Sequence, residues 1–182
     1  MSETADRFRK VAGGFTARVQ SVPAGAWDNA APCSGWVARD VVRHLVGWLP
    51  AFFGRYGVEF TPGPSVDDDP AAAWVAVRDT IQQALDDPAV AARESETPMG
   101  PTTLEGSVGM IVIADVLIHT WDLARAAGLD ERLDADEVER LAGFMQMSDE
   151  QLRSSGQFGP AVPVPDTADA QTKLIAFSGR QP

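Results

Sequence analysis

Residues 108–128 read VGMIVIADVLIHTWDLARAAG, running from Val108 to Gly128, and this stretch decides the fold. Val108, Val112, Asp115, His119, Asp122 and Ala126 recur at three- and four-residue steps, the period that puts side chains on one face of an α-helix. Gly128 closes the stretch, as glycine does where a helix ends in a left-handed residue. A stripe of valine and alanine alone would be ordinary core. This one also carries two aspartates and a histidine, and buried carboxylates are costly unless they are paired or coordinated.

Asp115 and His119 are four residues apart, so on a helix their Cβ atoms lie roughly 5–6 Å from each other. A carboxylate oxygen and an imidazole nitrogen can then meet one ion at about 2 Å each. The chain's other histidine, His44, lies in a second periodic segment with Val37, Val41, Leu45, Trp48 and Phe52, for which Ser34 offers an N-cap. The expectation is that His44, Asp115 and His119 converge between two helices as ligands of one divalent ion, with coordination positions left open. Asp122 reads as the partner that fixes the tautomer of a ligand histidine, and it is the one nearby candidate for a base. The competing explanation pairs these acids with Arg39, Arg43 or Arg125. Cys33 reads as a small buried hydrophobe, Trp36, Trp48 and Trp74 as core, and Arg180 as a solvated residue. Trp121 reads as packing off the stripe, against the tail or another helix.

Working outward, Ala5, Phe8, Ala12, Phe15, Val19 and Val22 mark a first amphipathic helix that Pro23 and Gly25 end. Pro62 to Pro64 and the acidic Asp67 to Asp69 mark an exposed connection. Asp69-Pro70 then opens a third helix with Trp74, Val77, Ile81 and Leu85 inward and Pro88 beyond its end. Residues 92–103 read as irregular or as a short extended pair. Thr102 with Glu105 resembles a capping box for the helix that Gly128 closes, and Asp134 with Glu137 caps another bearing Val138, Leu141 and Met145. After the proline- and glycine-rich Phe158 to Pro165, Thr172 to Phe177 makes one more helical turn. The expected fold is all-α: one domain over residues 1–182, an up-and-down four-helix bundle with a short helical C-terminal tail.

Composition narrows the partners. The 182 residues are 45% hydrophobic and 23% charged, with a net charge of −11. An acidic protein of this kind is not expected to bind nucleic acid, which needs a basic surface. No uninterrupted apolar run approaches the roughly 18 residues of a membrane span, and no signal pattern opens the chain. The expectation is a cytoplasmic protein without a membrane partner. A single cysteine, Cys33, rules out an internal disulfide and agrees with a reducing compartment.

Two runs carry a family resemblance. Pro32-Cys33-Ser34-Gly35-Trp36-Val37 leading into Asp40-Val41-Val42-Arg43-His44-Leu45-Val46-Gly47 resembles the first metal-binding helix of the mycothiol-dependent maleylpyruvate isomerase-like proteins of the DinB-like superfamily. Ala114-Asp115-Val116-Leu117-Ile118-His119-Thr120-Trp121-Asp122-Leu123-Ala124 resembles the second. Pro163 to Pro165 and Leu174 to Pro182 look like the tail of an uncharacterised actinobacterial branch. The resemblance implies a DinB-type four-helix bundle holding a divalent ion, commonly zinc or nickel, on His44, Asp115 and His119. It also implies mycothiol as cosubstrate. The isomerase has glutamate where this chain has Asp115, which is one methylene shorter, and an additional domain that 182 residues have no room for. Two functions stay open: a thiol-dependent transferase or isomerase acting on a small electrophile, and a non-catalytic metal- or ligand-binding module in stress or detoxification. A homodimer is among the expected assemblies.

Overall fold

The Ser2 hydroxyl accepts from the Ala5 amide at 3.2 Å and caps the first helix, α1, Glu3–Ser21. Ala5, Phe8, Val11, Ala12, Phe15 and Val19 form its buried face. The computed structural model of the chain describes residues 2–97, 100–147 and 159–182, and the side chains of 145–147 fall outside that description. The expected roles of Met145 and Phe158 therefore lie outside the described residues.

The second helix, α2, spans Ala38–Gly54. It starts later than Ser34 suggested. The Val37 amide is satisfied by Asp40 Oδ2 at 3.0 Å, while residues 30–37 form a tight turn closed by the Ala30–Val37 bridge. The helix continues through Pro50, although proline removes one backbone donor. Leu49 and Phe53, both fully buried on either side of it, supply the packing that overrides this loss.

Asp69 and Pro70 open α3, Pro70–Asp86, as the sequence indicates, with the Asp69 carboxylate accepting from the Ala72 amide at 2.9 Å. Its Trp74 is fully buried, stands edge-on to Phe15 at 4.8 Å and donates its indole N–H to Thr16 at 2.8 Å. Such an aromatic pair adds about 0.5–1.5 kcal/mol beyond its burial. A single turn, α4, Pro88–Ala91, follows. Strands β1, Glu94–Thr97, and β2, Gly100–Thr103, then pair antiparallel with Glu94 opposite Thr103 and Thr97 opposite Gly100. This is the short extended pair among the alternatives for 92–103.

The long helix α5 runs Leu104–Ala127. Its cap is Thr103, whose hydroxyl accepts from the Gly106 amide at 3.1 Å, one residue beyond the Thr102 expected. Over Val108–Val112 it widens into a π-helical turn, a feature frequent near functional sites. It ends at Gly128, which adopts φ 68°, where a side chain would be strained. By length and composition α5 could cross a membrane, but most of it is buried against other helices, as in the core helix of a packed protein.

Helix α1 packs on α3 and α5, and α2 packs on the same two, so the four long helices close into a ring. Helix α6, Ala135–Met147, buries Val138 and Leu141 and packs against α7, Ala170–Phe177. Asp134 does cap α6, accepting from the Glu137 amide at 3.2 Å. The molecule is mostly helical, with one small two-stranded sheet among the described residues.

Candidate metal centre

The α2 face read from the sequence is offset by one position from the core. Val41, Leu45, Leu49 and Phe53 are fully buried, whereas His44, Trp48 and Phe52 flank them half-buried. That offset carries His44 to the edge of the α2–α5 contact, where Asp115 and His119 rise from α5. His44 Nε2 lies 3.3 Å from Asp115 Oδ2, and His119 Nε2 lies 3.4 Å from Asp115 Oδ1. Donor atoms of all three residues fall within 4.8 Å of one another. Ligands about 2 Å from a shared ion stand at most about 4 Å apart, so side-chain adjustments of under an ångström would complete such a set.

His119 is buried, with 5% of its surface exposed. Its Nδ1 donates to Asp122 Oδ2 at 2.8 Å, since an ionised carboxylate only accepts. This leaves Nε2 facing Asp115 and His44. Asp122 thus stands where the sequence put it, beside the ring of His119.

None of the arginines offered as competing partners reaches this site. Arg43 pairs with Asp40 and Asp67, Arg39 donates to the carbonyls of Val66 and Asp67, and Arg125 pairs with Glu131. Asp122 is instead held by Arg180, whose Nη2 lies 2.8 Å from Oδ2. Arg180 is therefore an interior residue, 14% exposed at its side chain, and not a solvated one. The signal that could have found it is the demand of a buried carboxylate for a cation. Sequence distance hid it, because 58 residues separate the two.

Cys33 is likewise no inert hydrophobe. It is half-buried, 3.5 Å from Asp122 and 3.3 Å from Arg180 through Sγ. With His119 and Asp122 it forms a second cluster of potential ligands. The Arg180 guanidinium already neutralises that cluster. The first, made of His44, Asp115 and His119, has among the described residues no cationic side chain within ion-pair distance of Asp115 besides its own histidines, and it is the set that suits a divalent ion.

The turn over residues 30–37 and helix α2 each bring a tryptophan to the site. Asn29 donates to the Ala126 carbonyl at 3.0 Å and ties this turn to the end of α5. Trp36 then lies nearly parallel to His119, with ring centroids 5.8 Å apart and 17° between planes, and 5.2 Å from His44. Trp48 donates its indole N–H to Asp115 Oδ2 at 3.0 Å. Of the three tryptophans read as core, only Trp74 is fully buried; Trp36 and Trp48 wall the site. Trp121 is buried off the stripe, with the Arg125 guanidinium 4.4 Å above its ring.

Electrostatics lock these groups into charged forms. Burial alone would raise the Asp115 pKa, but the hydrogen bonds from His119 and His44 outweigh it and hold the carboxyl well below its usual range. For His119 burial acts to lower the pKa, and the hydrogen bonds with Asp115, Asp122 and Cys33 raise it well above 6.5. Asp122 is likewise held low against its burial by His119 and Arg180. Every buried side-chain polar atom among the described residues has a partner. The two carboxylates that flank His119 therefore favour its protonated form in the metal-free protein.

Trp48→Phe is expected to keep the wall and remove the donor to Asp115. Metal affinity should fall about 10–100-fold, as for other groups that orient ligands, with the helical circular dichroism unchanged. Unchanged affinity by calorimetry would make Trp48 packing alone.

Two histidines and a carboxylate converge at a half-open edge of a helical protein, a set of side chains that could hold a metal ion. Residues 8–55 match the family model described as the mycothiol maleylpyruvate isomerase N-terminal domain. Two uncharacterized proteins of Mycobacterium tuberculosis, from strains CDC 1551 / Oshkosh and ATCC 25618 / H37Rv, are each 30% identical over 168 residues, 91% of this chain and 91% of theirs. No solved structure matches. The chain belongs to the mycothiol maleylpyruvate isomerase-like, DinB-like family of actinobacterial proteins.

Proposed function

We propose that residues 1–182 form one DinB-type four-helix bundle, its ring made of α1, α2, α3 and α5. In this reading it binds a divalent ion, zinc or nickel, on His44, Asp115 and His119, and works as a cytoplasmic enzyme dependent on a small thiol. The observation that carries the reading is the approach of two histidine nitrogens, from two helices, to one carboxylate that has no arginine or lysine within ion-pair distance among the described residues. The donor set suits such an ion: two neutral imidazoles and one carboxylate leave it a residual positive charge and open positions. When bound, the ion would lower the pKa of an incoming thiol and polarise a carbonyl.

The chain's own residues supply the rest. Asp115 contributes the charge, and Trp48 holds one of its oxygens. Asp122 holds the Nδ1 proton of His119 and so keeps Nε2 free to coordinate. Trp36 and Trp48 shield the ligand side chains from water. The half-buried side of His44 and Asp115, with side-chain exposures of 32% and 27%, is the approach route for thiol and electrophile. The family's description supports mycothiol as the thiol, and the net charge of −11 supports small-molecule partners over nucleic acid.

A cobalt-substituted sample tests this. Adding mycothiol or a simpler thiol is expected to produce a sulfur-to-cobalt charge-transfer band, because thiolate is the form that binds metal. The band should be absent in His119→Ala. No band from a protein that holds cobalt stoichiometrically would end the thiol-dependent reading in favour of a metal-binding module.

A further inference from the structure

The Asp122 carboxylate is wholly buried, and its counter-charge comes from Arg180, 58 positions further along the chain. Arg180 donates Nε to Oδ1 at 2.9 Å and Nη2 to Oδ2 at 2.8 Å, the parallel fork that a guanidinium supplies and an ammonium does not. The backbone beneath it is constrained as well. Gly179 has φ +85°, and a Cβ there would fall 3.1 Å from the Gly159 Cα and 3.3 Å from the Pro160 carbonyl oxygen. Glycine alone tolerates both the left-handed conformation and that crossing. The Val162 amide donates to the Ala176 carbonyl at 2.9 Å and the Arg180 amide to the Ile175 carbonyl at 3.2 Å. The crossing and these two bonds set the position from which the guanidinium reaches Asp122.

We infer that Arg180 is a positioning residue for the metal centre, acting through Asp122 to hold the His119 ring with Nε2 turned toward His44 and Asp115. The inference rests on the metal reading of those three residues. Asp122 Oδ2 receives both His119 Nδ1 and Arg180 Nη2 at 2.8 Å, while Oδ1 receives Arg180 Nε. With both oxygens engaged the carboxylate plane cannot swing, so the proton acceptor for Nδ1 stays in one place. Without the guanidinium the carboxylate would turn about its last torsion and the ring would lose its fixed orientation. Docking of residues 159–182 and completion of the metal site are then one event.

The test compares Arg180→Ala, Arg180→Lys and Gly179→Ala with Arg132→Gln, which removes an arginine that is 88% exposed and paired with Asp130 on the surface. Zinc affinity is measured by chelator competition, and exchange of the His119 Nδ1 proton is followed by nitrogen-edited NMR. Arg180→Ala and Gly179→Ala are expected to lose about 10–100-fold in zinc affinity and to release the Nδ1 proton to fast exchange. Arg180→Lys should recover part of both, because it keeps the charge without the fork, and Arg132→Gln should match the unaltered protein. Gly179→Ala is the sharpest arm, since it displaces Arg180 while leaving the chemical identity of every residue of the site unchanged. A folded Arg180→Ala with unaltered affinity and a protected Nδ1 proton overturns the inference. Should Arg180→Ala fail to fold, unaltered behaviour in both Arg180→Lys and Gly179→Ala overturns it equally. If the unaltered protein binds no zinc, the ligand reading falls, while Nδ1 exchange in the same variants still decides whether Arg180 orients the ring.

Discussion

His119→Ala is expected to abolish tight divalent-metal binding. Structural zinc sites are worth about 10–16 kcal/mol, so one ligand among three or four carries about 3–4 kcal/mol, or about 10²–10³-fold in affinity. The loss should sit at the upper end here, because His119 is, of the three proposed ligands, the one held most firmly, buried and bonded through Nδ1 to Asp122. Asp115→Asn should cost less, since asparagine keeps an oxygen ligand and gives up only the charge. The order of the two effects is the informative result. Calorimetric titration of zinc into both variants measures it, with circular dichroism to show that each is folded. His119→Ala leaves Asp122 paired with Arg180 and Asp115 in contact with His44 and Trp48, so the fold should survive. Wild-type affinity in both variants would show that these side chains are structural.

The affinity for zinc is expected to rise with pH, by about tenfold per unit while one proton is displaced on binding. Burial acts to lower the His119 pKa, but Asp115, Asp122 and Cys33 outweigh it and raise it above 6.5, so the metal-free protein favours the imidazolium. Coordination through Nε2 must expel that proton. The slope should flatten once the pH passes the raised value of His119, and its removal in His119→Ala would take the pH dependence away with the affinity.

Stability of the metal-free protein should run the other way. The His119 imidazolium contributes its full stabilisation below the ordinary value of 6.5, and the contribution is lost as pH rises through the raised value in the fold. Asp115 is depressed below 3.8 by His119 and His44 against its burial, so its contribution is present above that pH and lost as pH falls through the depressed value. The metal-free Tm is therefore expected to be highest between 3.8 and 6.5 and to decline on the alkaline side. The gain in Tm on adding zinc should grow over the same rise in pH. Scanning calorimetry with and without zinc from about pH 5.5 to about pH 8 gives both curves. A zinc-induced gain that is flat with pH would show that no proton leaves His119 when the ion arrives.

Local chemistry accounts for what could be read from the chain alone. The periods of α1, α3 and α5, the Asp69-Pro70 and Asp134 caps and the Gly128 stop are each decided by residues within a few positions of one another. Asp115, His119 and Asp122 belong to the same category, because a helix alone puts residues three and four apart on one face. That much also suggested that His44 would join them, and the α2–α5 contact brings it within 3.3 Å of Asp115. The errors of one position at the start of α5 and of a few at the start of α2 arose where several nearby hydroxyl and carboxylate side chains compete for the same amides. Thr103 displaced Thr102, and Asp40 with the turn over 30–37 displaced Ser34.

The rest required the third dimension. Arg180 reaches Asp122 across 58 residues, Asn29 reaches Ala126 across 97, and Cys33 meets Asp122 across 89, distances at which sequence spacing carries no geometric information. Trp36 and Trp48 look like core by period, yet the turn over 30–37 brings Trp36, and the one-position offset of α2 brings Trp48, to the rim beside His44. Helical periodicity says which residues share a face, and it determined the acidic, histidine-bearing stripe of this protein. Which cation that face meets, and which residues wall it, depends on how helices and loops distant in the chain pack together, and only the tertiary structure decided that.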